Sequence, residues 1–198
     1  MGCVLVKQAD SKTLKRFMDR LIRWLEKFLS RHRILAQLYF VFFKKMTLDE
    51  FAMIQLPAGA SVVHIGCGSF PHTSMLLAQT RGWNITGIDR DRHAVEHAQH
   101  IINDHRLSDT IRIVVGDGKD FDVSSFDFII VSHGIEPKKE VLEHLSNQMK
   151  KDACILFRTT WDRLHGLYGT EQIPNSLEIK ASYDRIDGIK SYLLIRRN

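Results

Sequence analysis

Cysteine is scarce. The 198 residues contain three, Cys3, Cys67 and Cys154, and no two form a C-x-x-C pair. Three cysteines cannot staple a small secreted scaffold and match no structural zinc spacing, so a reducing, cytoplasmic setting without a resident metal is expected. Proline is also rare, at four, and twelve glycines follow no repeat, which excludes collagen-like and low-complexity chains. No stretch reaches the roughly eighteen apolar residues that a membrane span needs. The longest, Ile34 to Phe43, is broken by Gln37 and flanked by Arg33 and Lys44. No apolar core with a small-residue cleavage site follows Met1, so no secretory leader is expected. Met1-Gly2-Cys3 would suit lipidation, but Val6 stands where the myristoylation pattern has Ser or Thr.

The length suits one α/β domain of ordinary size with a small additional element. Such a chain buries about 70% of its unfolded surface and needs no covalent staples. The net charge of +5 is uneven. Residues 1–50 carry eleven Lys/Arg against five Asp/Glu, and the remainder is close to neutral. From Leu14 the apolar residues Leu14, Phe17, Met18, Leu21, Leu25, Phe28 and Leu29 fall at helical spacing, with Lys15, Arg16, Arg20, Arg23 and Lys27 around them. A second helix is expected from about Ile34 to Lys45. Residues 1–57 therefore read as a basic helical extension or lid, and 58–198 as the main domain. A basic amphipathic face also suits a membrane surface. Nucleic acid is not expected as a partner, because no recognised binding motif accompanies the charge. Nothing in the pattern specifies an oligomeric state.

From Ser61 short apolar strands alternate with helical patterns. The strands are Ser61–Ile65, Asn84–Ile88, Ile111–Val115, Phe126–Val131 and Cys154–Phe157, each rich in β-branched residues as buried parallel strands are. Helices are expected over Thr73–Gln79, Arg92–Asn103 and Lys138–Met149. Only about ten residues separate the third and fourth strands, too few for a full crossover helix. Two late strands, Leu177–Ser182 and Ser191–Arg196, read as an antiparallel pair turning at Asp184–Gly188. The sum is a doubly wound, Rossmann-like α/β sheet that binds ligands at the carboxyl ends of its strands.

The first strand runs into Gly66-Cys67-Gly68-Ser69-Phe70-Pro71 and then into a helix. Glycines there permit a tight turn and close backbone approach to a ligand. Phe70 replaces the third glycine of the dinucleotide fingerprint, and no Lys-Ser/Thr follows, so a phosphate-binding Walker loop is excluded. Asp89 ends the second strand, where a carboxylate can accept from both ribose hydroxyls. Asp117 follows the third strand, where it can meet an adenine amino group. The plain alternative is that the glycines make an ordinary turn and the aspartates cap helices or turns.

This arrangement resembles the class I S-adenosylmethionine-dependent methyltransferase superfamily, whose seven-stranded sheet ends in an antiparallel strand. The resemblance implies that Gly66, Cys67 and Gly68 line the methionine end, that Asp89 holds ribose, and that Asp117 and Gly118 meet adenine. Ser69, Phe70, Arg90 and Ser132 complete the implied cofactor pocket. One departure is His64, where the family's first motif usually opens with an acidic residue. Within the superfamily, Gly66, Gly68, Pro71, Thr73 and Ser74 are similar to the order found in nicotianamine synthase. So are Phe126-Asp127, Glu143-His144-Leu145, Leu156 to Thr160 with Leu167-Tyr168-Gly169, and the ending Ile189 to Arg197. That likeness implies S-adenosylmethionine as donor, transfer of its 3-amino-3-carboxypropyl group to a small amine acceptor, and release of methylthioadenosine. The family's tyrosine, seven residues before a glutamate, corresponds here to Phe43 before Glu50, and the family's larger helical region is shorter here.

Transfer to an amine needs a group that takes a proton as nitrogen attacks. His133, just past the fourth strand, is the first candidate; its alternative is a loop histidine bonded to backbone. Glu50 and Tyr168 follow, their alternatives being a solvated helix carboxylate and a packing aromatic. His93-Ala94-Val95-Glu96-His97 matches a zinc-protease pattern, but with a core face of Ala94, Ala98 and Ile101 its histidines lie on a solvated flank. Three readings are carried forward: the aminocarboxypropyl transferase, a methyltransferase on a small or membrane-associated acceptor, and a cofactor-binding protein without a complete acceptor site.

Overall fold

The computed structural model describes residues 43–160, 172–185 and 187–197. The amphipathic helix from Leu14, most of the Ile34 to Lys45 segment and Tyr168 lie outside the described residues. Among the described residues, no helix is long and apolar enough to cross a membrane.

The chain is helical over 43–50, α1, and continues as a 3-10 turn at Phe51–Met53. Then come β1 (Ser61–Ile65), α2 (His72–Arg81), β2 (Asn84–Asp89), α3 (Arg92–Asp104), β3 (Ile111–Val115), β4 (Phe128–Val131), α4 (Lys138–Gln148), β5 (Cys154–Thr160), β6 (Leu177–Asp184) and β7 (Ile189–Arg196). Local chemistry sets the helix ends. Gly82 closes α2 in the left-handed region at φ 65, its N–H donating to Ala78 O. Asp91 opens α3 by accepting from the His93 N–H at 2.9 Å.

The seven strands form one sheet in the order β3-β2-β1-β4-β5-β7-β6. β1 to β5 run parallel, and β7 enters antiparallel between β5 and β6. The expected class, an α/β doubly wound Rossmann-like seven-stranded sheet with a late hairpin, is the one found. β1 is buried at four of five positions and β4 at all four, which is why they read as unbroken apolar runs.

A hydrophobic core covers each face. One joins Val62, Ile85, Phe128, Ile130 and Leu156 of the strands to Met75 of α2 and Val95 of α3. The other joins Val63, Ile129 and Ile155 to Val141, Leu142 and Leu145 of α4. Phe51 is fully buried and meets Trp83 and Phe128 edge-on at 6.4 and 6.1 Å. The described part of the N-terminal extension is thus built into the core of the sheet.

Two local expectations are corrected. β4 begins at Phe128, not Phe126: Asp127 turns its carboxylate onto the Ser61 N–H at 2.8 Å, and Phe126 packs from the preceding loop. The buried face of α3 is Val95, Ala98 and Ile102, with Ala94 and Ile101 half-buried beside it. The bulkier Val95 takes the inward position, one residue round the helix from the expected Ala94.

Candidate active site

Neighbours β1 and β4 send their following segments to opposite sides of the sheet, so a crevice opens beyond their carboxyl ends. The glycine loop after β1 forms one wall. The Ser132-His133-Gly134 loop after β4 forms the other, with the Ser132 N–H donating to Ile65 O at 3.0 Å. Gly66 stands at φ +75, and a Cβ on it would come within 2.3 Å of Ile135 Cδ1 and 3.3 Å of Ser132 Cβ. Only glycine satisfies both the backbone and the close approach of the two walls.

Asp89 is the clasp of the loop. Its Oδ2 accepts from the Gly68 N–H and its Oδ1 from the Asp91 N–H, both at 3.0 Å. The Gly66 and Cys67 N–H groups donate to Ile88 O at 2.8 and 3.1 Å. The Gly66, Cys67 and Gly68 amides are therefore bonded within the protein. The half-buried Asp89 carboxylate keeps lone pairs for hydroxyl donors at the rim. Ser69 is half-buried at the rim, and Phe70 is buried and stacked on His72 at 6.2 Å.

Some expected site residues serve packing or turns. Cys67 is buried, and its Sγ lies 3.1 Å from where a Gly87 Cβ would stand, so its side chain enters the core rather than lining the crevice. Gly118 is a glycine for space: a Cβ there would lie 2.6 Å from Ile65 Cγ2 and 3.3 Å from Val141 Cγ1. Asp117 accepts from the Lys119 N–H at 3.0 Å in its own turn, with the exposed Arg90 guanidinium 4.0 Å away. His133 is half-buried one residue beyond Ser132. His93 is exposed and pairs with Glu96 at 3.5 Å.

The candidate Glu50 lies in a buried charge cluster whose other members, Arg158, Arg185 and Ser191, were not among the candidate residues. Glu50 of α1 is fully buried. Its Oε1 accepts from Arg158 Nε at 2.8 Å and from the Ser191 hydroxyl. Its Oε2 accepts from Arg158 Nη2 at 2.7 Å and Arg185 Nη1 at 2.8 Å. Arg158 also donates to Thr73 Oγ1 at 3.2 Å and lies 5.6 Å over the Phe51 ring. Arg185, just past β6, grips Asp187 with two further bonds. One carboxylate thus ties α1 to β5, β7 and the hairpin tip.

The alternative for Glu50, a solvated helix carboxylate, is corrected, because the side chain is fully buried and paired. Burial alone would raise its pKa, but the charge and hydrogen bonds of Arg158, joined by Arg185 and Ser191, hold it at about 2. Its two oxygens accept four hydrogen bonds, which tie it in place as an ionised carboxylate.

Two histidines share this side. His64 of β1 is 3% exposed, with Nδ1 2.8 Å from Ser74 Oγ and Nε2 2.9 Å from Ser132 Oγ. His72, half-buried, lies 6.4 Å from the Phe43 ring. Burial first, then the positive Arg158, lowers each imidazole to about 3. The sign of the pH dependence follows. Unfolded, these imidazoles bind protons near pH 6.5, and folded only near 3. The unfolded chain is the better proton binder across that window, so stability present above it is lost as pH falls through it. Glu50 adds a second loss as pH falls from 4.5 toward 2. Urea unfolding midpoints should hold steady above pH 7, decline below about pH 6.5 and drop faster below about pH 4.5. A flat profile between pH 7 and 5 would contradict the buried neutral imidazoles.

Comparison with known proteins agrees with this geometry. A family model described as "Nicotianamine synthase protein" matches residues 16–189. No curated protein matches by sequence. Among solved structures, a glutamate-to-glutamine variant of MtNAS in complex with S-adenosylmethionine superposes with a TM-score of 0.79 at 19% identity, over 95% of this chain and 76% of that one. MtNAS in complex with MTA and tNA gives 0.75 at 18%, over 95% and 74%. The mitomycin 7-O-methyltransferase MmcR gives 0.62 at 15%, over 88% and 60%. At these identities the likeness is one of fold.

Proposed function

The chain belongs to the nicotianamine synthase family, and from that premise we propose that it is an S-adenosylmethionine-dependent transferase that moves the 3-amino-3-carboxypropyl group to a small amine acceptor. The reading is carried by one observation: a G-x-G loop clasped by Asp89 at the sheet's switch point, within a chain that matches the family over residues 16–189. The crevice residues fit such a donor. Gly66 lets the two walls of the crevice approach closely, and Asp89 presents a carboxylate where ribose hydroxyls would approach. That MtNAS was solved with S-adenosylmethionine, and with MTA and tNA, supports a crevice of this kind.

A sulfonium supplies three activated carbons, and the one that reacts is the one the nucleophile meets in line. The protein's part is orientation. Asp89 secures the nucleoside side through β2. Glu50, Arg158 and Arg185 hold the acceptor side as a rigid wall, and a carboxylate already saturated by guanidinium groups leaves proton acceptance to another group. His133, at the rim beside Ser132, is the proposed proton acceptor for the attacking amine. Arg90, Asp117 and Ser69 border the nucleoside side in this reading. The cytoplasm is the proposed compartment, since the three cysteines follow no pairing pattern.

Product identity tests the proposal. The protein, S-adenosylmethionine and a panel of amines, including amino acids, are incubated and the released nucleoside is weighed by mass spectrometry. Methylthioadenosine is the expected product. Adenosylhomocysteine would replace the reading with methyl transfer. Tight binding with no product across the panel would leave a cofactor-binding protein.

A further inference from the structure

We propose that His64 is a positioning residue: a neutral imidazole that bridges the N-terminal turn of α2 to the loop after β4 and so sets Ser132 against Gly66, at the seam where the transferred group must lie. The bridge is visible in the geometry. β1 is flanked by β2 and β4, and His64 pairs in register with Gly87 and Ile130. Its side chain is enclosed, and both ring nitrogens meet hydroxyls: Ser74 of α2 at 2.8 Å and Ser132 at 2.9 Å. Ser74 is itself fully buried, so the α2 end of the bridge is anchored. Ser132 is half-buried at the crevice, and its Cβ lies 3.3 Å from where a Gly66 Cβ would stand. The two walls therefore meet at Ser132, and His64 lies beneath that meeting point.

Neutrality is what makes the bridge directional. A neutral imidazole has one N–H and one lone pair, so one hydroxyl donates to it and the other accepts from it. A charged ring would donate at both ends, and the groups around it oppose that form. Facing it are Arg158, half-buried His72, and Glu50, whose charge is already matched by Arg158 and Arg185. In a single tautomer, the lone pairs and proton of Ser132 keep fixed directions. Ser132 thereby becomes a specific donor or acceptor at the crevice rather than a rotating hydroxyl.

The functional half of this role rests on the proposed donor and the structural half on the two serine contacts of His64, and the test separates the two. Nitrogen-15 NMR of the imidazoles is recorded for the parent protein and for Ser74→Ala and Ser132→Ala, from pH 5 to 8. His64 should appear as one neutral tautomer throughout, and each serine variant should shift a different ring nitrogen. Titration of His64 near pH 6.5, or a mixture of tautomers, would overturn the bridge whatever the protein binds.

Calorimetry with two compounds then reads the function. Ser132→Ala should weaken S-adenosylmethionine by about tenfold, as loss of one well-placed hydrogen bond does. Methylthioadenosine, which lacks the transferred group, should keep its affinity to within about twofold. His64→Ala should reproduce that split, and His64→Gln, whose amide offers one donor and one acceptor, should recover much of it. Equal losses for both compounds, or none for either, would overturn the positioning role. If the parent protein bound neither compound, the proposed function and this role would both fall, while the NMR arm would still decide the bridge.

Discussion

Glu50→Ala is expected to be the most destabilising substitution in the described chain, by about 3–5 kcal/mol in urea unfolding. The size comes from what is left behind rather than from what is removed. Arg158 and Arg185 are 5% and 3% exposed, and without the carboxylate both guanidinium groups stay in the interior with fewer acceptors. Taking a charge out of water costs several kcal/mol, and only a close counter-charge repays it. Glu50→Gln should fall between parent and alanine variant, since it keeps two acceptor positions but loses the charge. Replacing Glu50, Arg158 and Arg185 together with apolar residues of similar volume should restore much of the stability, because no unpaired charge remains. An alanine variant within about 1 kcal/mol of the parent would mean that water or another group already satisfies the arginines.

That cluster also marks where the sequence stops being informative. Glu50 bonds residues 108, 135 and 141 positions away, and no local pattern predicts such pairs. Read locally, a glutamate ending a helix looks like a solvated side chain or a free base. Arg158 and Ser191 were visible only as residues of family-like segments, and Arg185 only as part of the expected turn at Asp184–Gly188. The sheet was different. Its inner strands β1 to β4 are short apolar runs rich in β-branched residues, and each feature has a local physical cause. The doubly wound class and the late hairpin could then be read from the alternation of strands and helices. Boundaries slipped where packing overrode pattern. Phe126 is as apolar as a strand residue, yet it packs from a loop because Asp127 is occupied by the Ser61 N–H. On α3 the period was right and the phase was off by one residue, since alanines and valine alike satisfy an apolar template.

The glycine loop shows the intermediate case. Gly66, Gly68 and Asp89 were identified from spacing alone, and the structure brings them into one clasp. The meaning of individual members was less legible. Cys67 and Gly118 lie in the same segments, but their environments are core rather than crevice. A motif locates a backbone shape, and only packing decides which side chains face the ligand.

Asp89→Ala should weaken S-adenosylmethionine and methylthioadenosine alike, by about ten- to a hundredfold, corresponding to charged hydrogen bonds worth about 1.5–3 kcal/mol. The two compounds share the ribose, so a residue that acts there cannot distinguish them. Part of the loss comes from the loop itself, because Asp89 also accepts from the Gly68 and Asp91 N–H groups. Asp89→Asn separates these contributions. An amide oxygen can still accept one of the two backbone bonds, so the loop stays nearer its shape while the negative charge for the hydroxyl donors disappears. The expected order of affinity is therefore parent, then asparagine, then alanine, measured by calorimetry on variants whose thermal unfolding stays cooperative. If the asparagine variant bound as tightly as the parent, the carboxylate would be a loop fastener alone. If even the alanine variant bound normally, the nucleoside would have to lie elsewhere on the rim.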